Sequence, residues 1–277
     1  MQEQKKIFIS FGDSRMKKAA ERIEKQAKDF CFFDEIHILN ENHLDKEFRL
    51  KWNKVLKPEI RGFGYWCWKP YIIRRLLEKI PDGSLVVYCD IGCHLNPQGL
   101  NRLKFYISEL ENAHLSIKAF PACSFDIDVI EKRWTKGDVF DYFGCRENKS
   151  ITDTQQLASG HILCLKNQGT LNFMKLWESI WEQNFALIDD TASKSRNFPE
   201  FIENRHDQSI FSILYKTHGG IALPDKETDS RDFSTMKEFP FWDLRDKGAK
   251  DTRFFSRLKR YLYSRIIKYK IRKKRMK

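Results

Sequence analysis

The sequence has no run of about 18 consecutive apolar residues, the length a helix needs to cross a bilayer, so it offers no transmembrane span. It also lacks a signal-peptide apolar region near its start, where MQEQKKIFISFGDSR returns to polar residues at once. The expectation is a chain that stays in the cytoplasm. Its seven cysteines, Cys31, Cys67, Cys89, Cys93, Cys123, Cys145 and Cys164, are odd in number and never spaced as C-x-x-C. That pattern argues against a zinc site or a disulfide framework and for reduced thiols. No glycine-rich basic loop follows the first candidate strand, where Phe11-Gly12-Asp13-Ser14 stands instead, which disfavours a nucleotidyltransferase that cradles phosphates on such a loop. Acidic residues are missing from residues 253–277, which hold twelve Lys and Arg; the net charge of the whole chain is +12, so the remainder is formally neutral. Any attraction to an acidic partner belongs to this tail.

What is present is a chain of 277 residues, 41% hydrophobic and 14% aromatic, enough for a packed core. Residues 6–11, KIFISF, read as a first strand ending in a turn at Gly12. Met16, Ala19, Ala20, Ile23, Ala27 and Phe30 then hold one helical face, with Asp13 or Ser14 placed to cap it, and residues 36–39 read as a second strand. This β-α-β order predicts a parallel pair.

Residues 61–96 organise the rest. Ile73, Leu76, Leu77 and Ile80 mark a helix, stopped by Pro81-Asp82-Gly83. Residues 85–89, LVVYC, form a continuous apolar run, as expected of a central strand covered on both faces. It ends at Asp90, where open α/β sheets bind ligands, and Gly92 would let backbone approach one closely. A turn cap is the alternative role for Asp90. Before the helix, residues 62–70, GFGYWCWKP, place four large aromatics and Lys69 on a loop, with Pro70 suited to the first helical position. At least one of Trp66 and Trp68 is expected in the core, whereas Lys69 is equipped to meet a phosphorylated, ring-containing ligand.

Later segments add candidates. His94 lies in the loop after Asp90, as a ligand or a structural histidine. Residues 126–150 are irregular and polar-aromatic, assigned to a variable binding partner. Phe173, Trp177, Ile180 and Trp181 share one helical face and belong to the core. Asp207 and Gln208 open a helix that Gly219-Gly220 ends; a carboxylate there either caps the helix or is held charged by its N-terminus to grip hydroxyls. Residues 225–251 read as a charged surface connection that can fold back over a ligand.

The segments GYWCWKPYII and LVVYCDIGC resemble bacterial GT-A fold glycosyltransferases of the lipopolysaccharide and capsule type, over residues 7–223. The resemblance implies a Rossmann-type sheet flanked by helices and transfer of a sugar from a nucleoside diphosphate sugar to a glycan or lipid-linked acceptor. It makes Phe11, Gly12, Arg15, Trp68, Lys69, Asp90, Gly92, Ser159, Gly160 and His161 donor-side candidates and sets Asp207 and Gln208 beneath the anomeric carbon. The family's two-carboxylate D-x-D is reduced here to Asp90 of Asp90-Ile91-Gly92. A Mg²⁺ or Mn²⁺ would then be weakly held by Asp90, with His218 as a further ligand, or be replaced by Lys69 and Arg61.

The last 26 residues stand apart from a domain of residues 1–251. Phe254, Phe255, Leu258, Tyr261, Leu262, Ile266 and Tyr269 gather on one side of a helix among cations, the pattern of a basic amphipathic helix docked on an anionic membrane. Tyrosines among the cations fit nucleic acid as the rival partner, but that reading leaves residues 62–70 and Asp90 unexplained.

Overall fold

The computed structural model describes residues 3–111, 113–124, 127–220, 227–230 and 232–248, with 262, 265, 266, 268 and 269. Strand β1 (Lys6–Phe11), helix α1 (Lys17–Asp29) and strand β2 (Glu35–Leu39) form the expected parallel unit, with Phe8 opposite Ile36. Helix α2 (Trp68–Leu77) leads to β3 (Leu85–Cys89), parallel to β1 on its other side. Helix α3 (Leu100–Glu111), β4 (Ile117–Pro121), β5 (Leu157–Leu165), α4 (Gln168–Gln183) and α5 (Asp207–Thr217) complete the framework. The five strands lie in the order β2-β1-β3-β5-β4, and β5 runs antiparallel to both neighbours. The fold is therefore an α/β sheet flanked by helices, mixed rather than wholly parallel.

The continuous apolar run of β3 follows from cover on both faces. Val86 and Tyr88 pack with α2, α4 and α5, whereas Leu85, Val87 and Cys89 pack with α1 and α3. Trp177 and Trp181 are fully buried in the first cluster, as their spacing predicts. The alternation has a consequence at the strand end, where Tyr88 and Cys89 point to opposite faces and carry different chemistry.

Three local readings change. Helix α2 begins at Trp68, so Pro70 is its third residue, still within the first turn where a missing N–H costs little. Before it, residues 62–66 all have positive φ, from +52° to +95°. Tyr65 N–H donates to Arg61 C=O at 2.7 Å and Trp66 N–H to Gly62 C=O at 3.3 Å, one left-handed turn rather than an open loop. Residues 227–248 are not merely a surface connection. Phe233, Met236 and Phe241 are buried, and Phe241–Trp242 pairs with His94–Leu95. Charged neighbours mask these apolar residues in the sequence. The described residues 127–152 include short helices at Glu131–Trp134, Gly137–Tyr142 and Lys149–Thr152. Among the described residues no helix is long and apolar enough to cross a membrane. Most of the basic tail lies outside the described residues; Leu262, Arg265, Ile266, Lys268 and Tyr269 are helical.

Candidate active site

Residues far apart in sequence meet at the carboxyl end of β3. Lys69, in the first turn of α2, sends its ammonium into the protein with its side chain 2% exposed. There Nζ lies 3.2 Å from Asp90 Oδ1 and 3.0 Å from Asp207 Oδ2, and donates to Ser159 Oγ at 3.1 Å. Ser159 in turn donates to Asp207 Oδ2 at 2.8 Å. Two carboxylates around one ammonium compensate charge that burial alone would forbid. Burial acts to lower the Lys69 pKa, but Asp207 and Asp90 outweigh it and hold the amine above its ordinary value. At Asp207 burial lifts the carboxyl above the usual carboxylate range, against the pull of Lys69.

The two carboxylates are not equivalent. Asp207, in the first turn of α5, has its side chain 3% exposed, whereas that of Asp90 is 33% exposed. Tyr88 OH donates to Asp90 Oδ1 at 2.5 Å, so both of these contacts fall on Oδ1. Oδ2 lies beside Gly160, where a Cβ would stand 3.1 Å away. Gly160 thus keeps bulk off this oxygen, and its C=O accepts from Asp90 N–H at 2.8 Å. Strand β5 is irregular here: only Ala119 of β4 stands opposite residues 159–162. Ser159 can therefore face α5 while His161 faces the opposite layer.

Of the sequence candidates, Lys69, Asp90, Ser159, Gly160 and Asp207 come together. Gly12 and Arg15 lie at the neighbouring end of β1; a Cβ on Gly12 would meet Ile91 at 3.1 Å, and Arg15 pairs with Asp13 at 2.8 Å. Phe11 and Trp68 stack with ring centroids 4.0 Å apart and are buried in the core, so neither ring is presented to a ligand. Gln208 follows Asp207 but turns away, donating to Gln156 Oε1 at 2.7 Å. Gln156 also donates to the fully buried Glu131 at 2.9 Å.

Several expectations are corrected. Lys69 is committed to two carboxylates, so it is not a free cation for phosphate. Gly92 admits protein rather than ligand: its C=O accepts from Asp246 N–H at 2.7 Å, and the Arg245 backbone lies 3.6 Å from where its Cβ would be. His161 is 2% exposed on the other face of the sheet, between Cys89 and Cys93. His218 closes the far end of α5, about 16 Å along the helix from Asp207 at 1.5 Å per residue. It cannot share a metal with Asp90. His94 is held by Gln26 and Asp246, each at 3.1 Å.

Residues that the sequence reading missed include Tyr88 and His206. His206 precedes α5 with φ +56°, and its ring lies 5.1 Å from that of Tyr65 and 5.6 Å from that of Trp66, both also at positive φ. Strained bulky residues facing one another beside Asp207 mark the place as over-determined by its surroundings. The GFGYWCW composition was the available signal. Arg61 at this rim lies 3.9 Å from Glu203.

No protein-family model matches the sequence, and neither does any curated protein. Among solved structures, the chain is similar to a glycosyltransferase involved in glycosylation of the major capsid of the virus PBCV-1, at 14% identity over 85% of this chain and 92% of that one, TM-score 0.46. It is similar to mouse xyloside xylosyltransferase 1 at 8% identity over 87% and 97%, TM-score 0.47. It is also similar to the galactosyltransferase LgtC, solved with donor and acceptor sugar analogues, at 16% identity over 80% and 74%, TM-score 0.42.

Proposed function

We propose that this chain is an enzyme that transfers a sugar from a nucleoside diphosphate sugar to a hydroxyl of a cell-surface glycan or lipid-linked acceptor. The observation that carries the reading is the half-open carboxylate of Asp90 at the carboxyl end of a central strand, clamped by Lys69 and Tyr88. That edge is where open α/β sheets take ligands. A carboxylate fixed on one oxygen and open on the other is suited to holding sugar hydroxyls in one orientation. Asp207 is a positioning residue in this account: with Ser159 it fixes Lys69, and Lys69 fixes Asp90.

The leaving diphosphate needs positive charge as its bond to the sugar breaks. Arg15 and Arg61, both exposed and each paired with a single carboxylate, Asp13 and Glu203, are the residues whose remaining N–H groups would supply it from the protein. Within this cluster of described residues Asp90 Oδ2 is the exposed carboxylate oxygen that would hold a Mg²⁺ or Mn²⁺, since Lys69 engages Asp90 Oδ1 and Asp207 Oδ2; one carboxylate plus substrate phosphates is a common way to hold Mg²⁺. When bound, such an ion would offset the charge developing on the diphosphate.

The decisive experiment is a panel of UDP- and GDP-sugars, read by melting temperature and donor hydrolysis with and without Mn²⁺. The proposal expects one donor to raise the melting temperature and to be hydrolysed slowly. No shift and no hydrolysis across the panel would contradict it.

The tail is proposed to seat the enzyme on the anionic inner face of a membrane, in reach of a lipid-linked acceptor. Leu262, Ile266 and Tyr269 are 50%, 54% and 66% exposed, one helical face presented outward beside Arg265 and Lys268.

A further inference from the structure

On the face of β3 opposite Asp90, Cys89, Cys93 and His161 meet in a buried cluster. His161 Nδ1 lies 3.3 Å from Cys89 Sγ, His161 Nε2 lies 3.7 Å from Cys93 Sγ, and Cys93 Sγ lies 3.8 Å from Asp243 Oδ1. One ligand atom from each of the two thiols and the imidazole can be chosen so that all lie within 4.8 Å of one another. Around a tetrahedral Zn²⁺ with bonds of about 2.0–2.3 Å, neighbouring ligand atoms stand about 3.3–3.8 Å apart. The three ligand atoms lie within 4.8 Å of one another and Asp243 Oδ1 reaches Cys93 Sγ at 3.8 Å, so binding an ion draws the side chains together by about an ångström. The C-x-x-C rule misses the cluster because the cysteines are four residues apart and the histidine comes from the antiparallel strand, with His161 opposite Cys89.

We infer that Cys89, Cys93 and His161, with Asp243 as the fourth ligand, form a structural site for Zn²⁺. Two sulfurs, one imidazole nitrogen and one carboxylate oxygen are a donor set zinc accepts, and the softness of the sulfurs disfavours Mg²⁺ and Mn²⁺. The surroundings suit a closed site. Phe241 stacks on the His161 ring at 5.2 Å and Phe120 meets it edge-on at 6.2 Å, keeping water out. The Arg22 guanidinium donates to the C=O of Ile91 at 2.8 Å and of Cys93 at 3.1 Å, placing a cation beside the thiolates. Because the two sulfurs now meet different ring nitrogens, loading turns the imidazole so that one nitrogen faces the metal. Each thiol gives up its proton to solvent as its sulfur binds. The ion would tie together the end of β3, the turn after Asp90, β5 and the 241–246 segment. It would thereby brace Asp90 from behind, whatever reaction occurs in front.

The test uses the reduced, metal-stripped full chain titrated with Co²⁺ alone. The expected result is a thiolate-to-cobalt charge-transfer band that saturates at one equivalent and is bleached by Zn²⁺. Cys93→Ser should abolish the band and Cys31→Ser, at an exposed thiol, should keep it. Asp243→Asn should weaken binding roughly tenfold or more. Absence of the band, or its survival in Cys93→Ser, would overturn the assignment. Should Cys93→Ser fail to fold, Zn²⁺ protection of Cys89 and Cys93 from a maleimide, mapped by peptide mass in the unaltered chain, decides instead. Equal labelling with and without Zn²⁺ would overturn it.

Discussion

Lys69 is the residue whose environment most constrains its neighbours. Its ammonium is buried against Asp207 and Asp90, so removing it leaves a carboxylate without compensation in the interior. Lys69→Met should cost about 3–5 kcal/mol in urea denaturation, and Lys69→Met with Asp207→Leu should recover much of that loss. A single variant as stable as the parent would show that Asp207 does not depend on the ammonium. His206 gives a second test. Burial pushes its pKa down to about 4, while the unfolded chain titrates near the ordinary value of about 6.5. Between these values the unfolded state binds a proton that the folded state does not. The stability contribution is therefore complete above about pH 6.5 and is lost as pH falls toward 4. Stability of the parent should fall more steeply over that window than that of His206→Gln, by on the order of 3 kcal/mol at its lower end. Parallel curves would refute the assignment.

At the scale of elements, two glycines at positive φ separate backbone from packing. Helix α5 ends with Gly219 at φ +73°, where Gly219 N–H meets Lys216 C=O and Gly220 N–H meets Tyr215 C=O. A Cβ there has nothing within 4 Å, so Gly219→Ala should cost only the backbone term, about 1 kcal/mol. At Gly62, φ +61°, a Cβ would lie 2.3 Å from the Trp66 ring. Gly62→Ala should cost roughly 2–4 kcal/mol, since overpacking adds to the backbone term. Equal losses in denaturant titrations would show that the left-handed turn is not as described. The elements themselves were largely legible. Periodicity marked α1, α2 and α4, the end signals Asp207 and Gly219-Gly220 marked α5, and the unbroken run of residues 85–89 marked a strand buried on both faces. The left-handed turn was not legible, because Phe63, Tyr65 and Trp66 individually disfavour positive φ and only tertiary contacts hold them there.

For the whole molecule, the limit of legibility is meeting rather than identity. Asp90, Lys69, Ser159 and Asp207 were each singled out, but nothing in their spacing shows that Lys69 is spent on two carboxylates. The same limit hid Cys89, Cys93 and His161. The separation of a formally neutral body from a basic tail is a property of the whole chain. Removing residues 253–277 should release the protein from anionic vesicles in a sedimentation assay while sparing transfer to a soluble acceptor. Equal sedimentation of both forms would refute membrane docking, and salt-sensitive RNA binding without vesicle binding would assign the tail to nucleic acid.

The central claim is that Asp90 presents a working oxygen rather than capping a turn. The most direct measurement is turnover of the donor identified by the nucleotide-sugar panel, comparing the parent with Asp90→Asn at equal folded fraction. Loss of roughly a hundredfold or more in kcat, with thermal unfolding of the variant still cooperative, is the predicted result. Turnover within a factor of a few of the parent would contradict it and leave Asp90 as a structural residue.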